Sequence, residues 1–154
     1  MRVINRRPDA RGWTLNSMIL CDDVRQEVSG KETLVGVYSS TIVVAAIPAS
    51  LKSLFFRISV TISDATMNQV RFSVTGPDGN KVSELSGSPP PFKSNGEASL
   101  VFEHSPMNLP FSGRYKVELA LGGGPAVEVG TFEVRLPSGS AELGKLKVQT
   151  DMNA

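Results

Sequence analysis

The stretch Gly113–Leu136, GRYKVELALGGGPAVEVGTFEVRL, reads as two β-strands joined by a turn, and this pattern sets the fold class of the chain. In its first arm Tyr115, Val117, Leu119 and Leu121 alternate with Arg114, Lys116, Glu118 and Ala120. That period of two belongs to a strand with one buried and one wetted face. Gly122-Gly-Gly-Pro125 then reverses the chain, because glycine reaches positive φ without steric cost and proline brings no N–H to a ladder. The return arm carries Val127 and Val129 on one face but Phe132, Val134 and Leu136 on the next phase. A phase change of one residue beside a glycine predicts a β-bulge at Gly130–Thr131.

Outward from this hairpin, the same period recurs. Leu54–Ile62 alternates, with Phe55 as an exposed exception; so do Gln69–Thr75 and Glu97–His104, the last with Ala98, Leu100, Phe102 and His104 on one side. Gly76-Pro-Asp-Gly-Asn80 is the strongest turn signal and leads into Lys81–Leu85. Leu15–Cys21, Thr33–Tyr38 and Thr41–Ala46 are valine- and isoleucine-rich without a clean polar face, as in strands covered on both sides, with Asp22-Asp23 ending the first. Three consecutive prolines make Ser86–Gly96 an exposed connection, and His104–Ser112 reads as a second long loop. No run of helical period appears. Eight to ten short strands predict an all-β sandwich over residues 14–136, between a flexible arm at 1–13 and a polar tail at 137–154.

The composition supports one domain: 154 residues, 40% hydrophobic and 20% charged, are enough for a substantial core. Lys and Arg number 16 against 15 Asp and Glu, and a net charge of +1 argues against nucleic acid or an anionic membrane as partner. No apolar run at the start has the length of a signal peptide and none elsewhere that of a transmembrane helix, so a cytoplasmic protein is expected. A single cysteine, Cys21, forbids an internal disulfide and multi-cysteine metal sites.

Ser112-Gly-Arg-Tyr-Lys-Val117 resembles the penultimate strand of immunoglobulin-like domains, where a glycine, a tyrosine and a core residue follow at spacing two. Val117 stands where antibody domains have a cysteine, its partner cysteine is absent, and Trp13 lies too early to be their core tryptophan. The resemblance therefore implies an immunoglobulin-like or fibronectin-like sandwich without antibody membership. Met18–Val28, with Gly30-Lys31 and Leu34–Tyr38, is also similar to an uncharacterised family of small bacterial proteins, a domain of unknown function. That likeness implies no substrate.

Few residues offer chemistry. His104 is the only histidine and ends a strand in phase with Phe102; Cys21 lies in an apolar strand beside two carboxylates that disfavour its thiolate, so neither is expected to act in catalysis. Asp22, Asp23, Asp64 and Asp78 lie near strand ends, as loop aspartates do in calcium-binding sandwiches of the C2 type, but their spacing does not place them at one end. No cofactor or metal is expected. The candidate partner-binding residues are the outward Phe55 and the polyproline segment Pro89, Pro90, Pro91, Phe92 and Lys93. The expectation is a non-catalytic protein-interaction or scaffold module, binding an unknown protein and self-associating. A calcium- or membrane-binding C2-like module is the alternative, and a hydrolytic enzyme comes third. Self-association is expected through one doubly apolar sheet carrying Leu15–Cys21, Thr33–Tyr38 and Thr41–Ala46, whose second face needs a cover from a second copy or from residues 137–154.

Overall fold

The structure, a computed structural model, describes residues 2–3, 12–89 and 96–138. Among these, every regular element is a strand: β1 (Arg2–Val3), β2 (Trp13–Gln26), β3 (Glu32–Val37), β4 (Thr41–Val43), β5 (Ala49–Leu51), β6 (Leu54–Ile62), β7 (Val70–Thr75), β8 (Lys81–Gly87), β9 (Gly96–His104), β10 (Met107–Leu109), β11 (Gly113–Leu121) and β12 (Val127–Arg135). Two sheets face each other. One runs β3-β2-β6-β9; the other runs β1-β12-β11-β7-β8, with β4 lying parallel to β12. The chain is a mostly antiparallel β-sandwich whose consecutive strands β6 and β7, and again β8 and β9, lie in opposite sheets, the Greek-key habit of immunoglobulin-like domains.

β6 shows why these residues make a sandwich. Leu54, Phe56, Ile58, Val60 and Ile62 are all fully buried, while Phe55, Arg57, Ser59 and Thr61 between them are only half-buried on the opposite face. Across the gap they meet Phe72, Val74, Val117, Leu119 and Phe132 of the second sheet in one apolar cluster. The hairpin of β11 and β12 is as expected from its sequence, and β11 is flanked on both sides, by β12 and β7. Its Tyr115 ring is fully buried and stacks on Phe132 with ring centroids 5.2 Å apart. The Tyr115 hydroxyl donates to the Phe111 carbonyl at 2.7 Å and accepts the Phe111 N–H at 3.2 Å, closing the corner that enters β11.

Several boundaries differ from the sequence reading, each for a tertiary reason. The bulge lies at Val129–Gly130, one step nearer the turn than Gly130–Thr131: Val117 pairs with Gly130 and Glu118 with Glu128, so Val129 is the extra residue. Asp22-Asp23 does not end β2, which continues to Gln26 because β3 supplies a partner for it. Ser86 and Gly87 are not connection but the end of β8, opposite Arg71 and Val70. The loop from His104 to Ser112 contains β10, which pairs with β5; both strands have three residues, too few to show a period. Of the arm at 1–13, Trp13 is buried and opens β2, and Arg2–Val3 pairs with Thr131 and Gly130. Of the tail, residues 139–154 lie outside the described residues.

The doubly apolar sheet is also redistributed. β4 leaves β2 and β3 for the other sheet, carrying Ile42 and the adjoining Val44 into the core, where Met18 and Leu20 also lie. Only Val35, Val37 and Val43 of the three segments remain as exposed large apolar side chains, so the surplus face that motivated self-association is much smaller than the sequence implied.

Replacing Tyr115 by Phe keeps the stacked ring and deletes both hydroxyl bonds to Phe111. The expected loss is about 1 kcal/mol of unfolding free energy, read from urea midpoints at unchanged slope; an unshifted midpoint would mean that the corner is held by packing alone.

Candidate functional site

β2 is paired with β6 from Trp13 to Cys21 and with β3 from Cys21 to Gln26, so its second half belongs to a hairpin of its own. The turn is closed by Glu27 N–H to the Lys31 carbonyl at 2.7 Å and Gly30 N–H to the Glu27 carbonyl at 3.0 Å. The Thr33 hydroxyl donates to Glu27 at 2.7 Å. This hairpin does not project into solvent. Glu32, next to its tip, meets Arg57 on the outer face of β6 at 2.9 Å, and Lys31, Glu32 and Leu34 line a cleft of about 580 Å³ with Arg57, Ser59 and Ser99. In an extended hairpin, Gln26 and its partner Glu32 would lie seven residues beyond Ile19, the cross-strand neighbour of Arg57, roughly 23 Å away at the strand rise. The hairpin therefore folds back over its own sheet.

Its bend is at Asp22 and Gly36. Gly36 has φ +66°, and a Cβ there would come within 2.1 Å of an Asp22 carboxylate oxygen. Only glycine meets both demands. The Asp22 carboxylate accepts the Tyr38 hydroxyl at 2.7 Å, and the Asp22 carbonyl accepts the Ser53 hydroxyl at 2.9 Å. Burial, with the Asp22 carboxylate beside it, pushes the Tyr38 phenol up to about 12. Glu32 titrates below the usual carboxylate range: its burial works the other way, but hydrogen bonds from Ser99 and Arg57 and the guanidinium charge outweigh it.

The chain's one thiol and one imidazole are both enclosed. Cys21 is 0% exposed, and its thiol is pushed up by burial and by the carboxylates of Asp22, Asp23 and Glu32, against a hydrogen bond from the Asp23 backbone. His104 is 8% exposed; its Nε2 contacts the Ser83 hydroxyl, its Nδ1 has no hydrogen-bond partner among the described residues, and the Phe56 and Phe72 rings lie 5.4 and 5.6 Å from its own. Burial holds its pKa below the ordinary imidazole value. Ser83 and His104 are the nucleophile–base pairing that the sequence reading missed, 21 residues apart with no motif around them. No carboxylate orients the Nδ1 side, and a proton taken up there would place a charge among phenylalanines.

The four aspartates do not converge. Asp22 serves the bend, Asp23 pairs with Arg25, Asp64 caps its turn by accepting from the Thr66 N–H and hydroxyl, and Asp78 accepts from the Asn80 N–H and side-chain amide. Among the described residues no three potential metal ligands come together. Phe55 is half-buried rather than exposed, since it lies in the row of Cys21 and Glu103 on the face over which the hairpin folds. Pro89 is half-buried beyond β8; Pro90, Pro91, Phe92 and Lys93 lie outside the described residues.

The family model described as "Family of unknown function (DUF6941)" matches residues 16–149. The chain belongs to that family. The DUF6941 match includes Met18–Val28 and Leu34–Tyr38, now seen as the covering hairpin and its root. No curated protein matches the chain. Among solved structures it is similar to the C-terminal domain of wzt, at 12% identity over 86% of this chain and 79% of that one, with a TM-score of 0.47. No helix among the described residues is long and apolar enough to cross a membrane.

The buried imidazole sets a pH dependence. Unfolding frees His104 to bind a proton near its ordinary value of about 6.5, which the folded state resists, so the unfolded chain binds more protons below that pH. Stability is expected to be complete above pH 7 and to fall, by at most about 1.4 kcal/mol per pH unit, as pH drops below 6.5. His104→Gln should flatten the unfolding free energy between pH 7 and 5.5, where no other histidine contributes; an equal slope in both proteins would refute the assignment.

Proposed function

We propose that this DUF6941 domain is a non-catalytic protein-interaction module that docks a partner strand along the outer edge of β9. The observation that carries this reading is the regularity of that edge. β9 pairs with β6 through nine consecutive residue pairs, Gly96–Ile62 to His104–Leu54, without a bulge, and its other side has no strand partner among the described residues. The remaining edges are less suited. β12 is flanked by β1 and β4, β8 is interrupted by a register shift opposite Val74–Thr75 and starts with Lys81, and β3 is bent at Gly36. A long, flat, open edge presents unpaired N–H and C=O groups as a template for another strand. Ser99, Val101 and Glu103 on its outer face would give that strand its side-chain contacts, and Val101 is exposed to 37%. The enclosure of Cys21 and His104 supports a role in binding over one in group transfer.

Val101→Lys tests the reading. A tagged protein used to capture partners from its native host is expected to lose its specific partner on this substitution, and to keep it on Val28→Lys at the exposed hairpin tip, both variants unfolding at the parental urea midpoint within about 0.5 kcal/mol. Light scattering of the purified protein reports whether that partner is a second copy. Equal capture by both variants would overturn the proposal.

A further inference from the structure

Cys21 is completely buried, yet the register puts it on the outer face of its sheet: it pairs with Phe55 and Val37, whereas the preceding Leu20 pairs with Phe56 of the inward row. The hairpin lies against it there, since the Asp23 backbone hydrogen-bonds the thiol and Glu32 acts on it electrostatically. We propose that residues 23–35 form a strap, hinged at Asp22 and Gly36 and latched by Glu32 on Arg57, that swings off the sheet while the sandwich stays folded, uncovering Ile19, Cys21 and Phe55. The pairing makes the strap mechanically separate, because among the described residues β2 has β6 as partner only as far as Cys21 and β3 pairs with β2 alone. Opening therefore breaks no ladder. It costs the Glu32–Arg57 pair, the Ser99 bond to Glu32 and the half-buried contacts of Val24 and Leu34, whereas Thr33, Val35, Gly36 and Val37 are already exposed. Segments with few buried apolar contacts open below the global unfolding free energy. The hinge is built for it: Gly36 holds a positive φ, and the Tyr38 and Ser53 hydroxyls fix Asp22 on the sheet side.

Cys21 is the chain's only thiol, so its labelling by an aromatic disulfide reagent in excess reports the opening directly. The intact protein is expected to label slowly. Glu32→Gln and Arg57→Gln each remove the latch, and each is expected to speed labelling at least tenfold with little change in the urea midpoint. The two substitutions remove charges of opposite sign from the region of the thiol, so an electrostatic effect alone would move the two rates in opposite directions. Val74→Ala, a core truncation in the other sheet, should lower the midpoint and leave the labelling rate unchanged. Labelling that follows global stability in all three variants, or opposite shifts in the two latch variants, would overturn the proposal. So would an intact protein that labels as fast as a free thiol. None of these outcomes depends on whether β9 docks a partner.

Discussion

Phe56 is where the two sheets hold each other. From the middle of β6 its ring lies 5.1 Å from Phe72 on β7, 6.0 Å from Phe132 on β12 and 5.4 Å from His104 on β9. A sheet is stable in water only if its apolar face is covered, and aromatic rings supply much of that burial in a small sandwich. Phe102 adds to this layer by stacking on Phe72 at 4.3 Å, so the outer strand β9 is anchored through the same cluster. The single imidazole of the chain sits against these rings. Its chemistry is set by them: neutrality is favoured because a proton there would be a charge in an apolar layer.

With the inner faces committed to that cluster, the outer faces and the edges distinguish this domain from a plain sandwich. The Asp22–Gly36 bend turns a long β2 back over its own sheet, which accounts for a cysteine with no exposure on the face away from the core. A surface that looked in need of a second subunit is largely closed by the same chain. Edges are treated unequally. Pairing to β1 and β4 closes β12, whereas β9 is straight and open on one side among the described residues. An exposed regular edge is a hazard unless it has a partner, and this asymmetry is what supports the docking proposed for β9.

The family to which the chain belongs has no known function, so function has to be read from chemistry and exposure. The groups whose titration is displaced fall into three kinds. Tyr38, Cys21 and Glu32 are tied to the hairpin and its root, His104 and Tyr115 to the core, and Asp64 to the hydrogen bonds of its own turn. Displaced titration at these positions follows from packing, from hydrogen bonds and from one ion pair. It marks where the fold restrains charge.

Local pattern was enough for much of the architecture. Alternation along Leu54–Ile62 and Gly113–Leu121, the Gly76–Asn80 turn and the phase change near Gly130 are properties of neighbouring residues, because strand faces repeat every two residues whatever lies beyond them. The sequence by itself therefore determined the all-β class, the main strands and the inward residues. Tertiary structure alone decided the rest. It moved β4 to the sheet opposite β3, paired β5 with β10, joined Ser83 to His104, and brought Glu32 to Arg57 across 25 residues of chain. Each of these depends on which segment arrives beside which, and no local period encodes that. A doubly apolar strand states only that both its faces must be covered, and a folded chain can meet that demand with any segment long enough to reach.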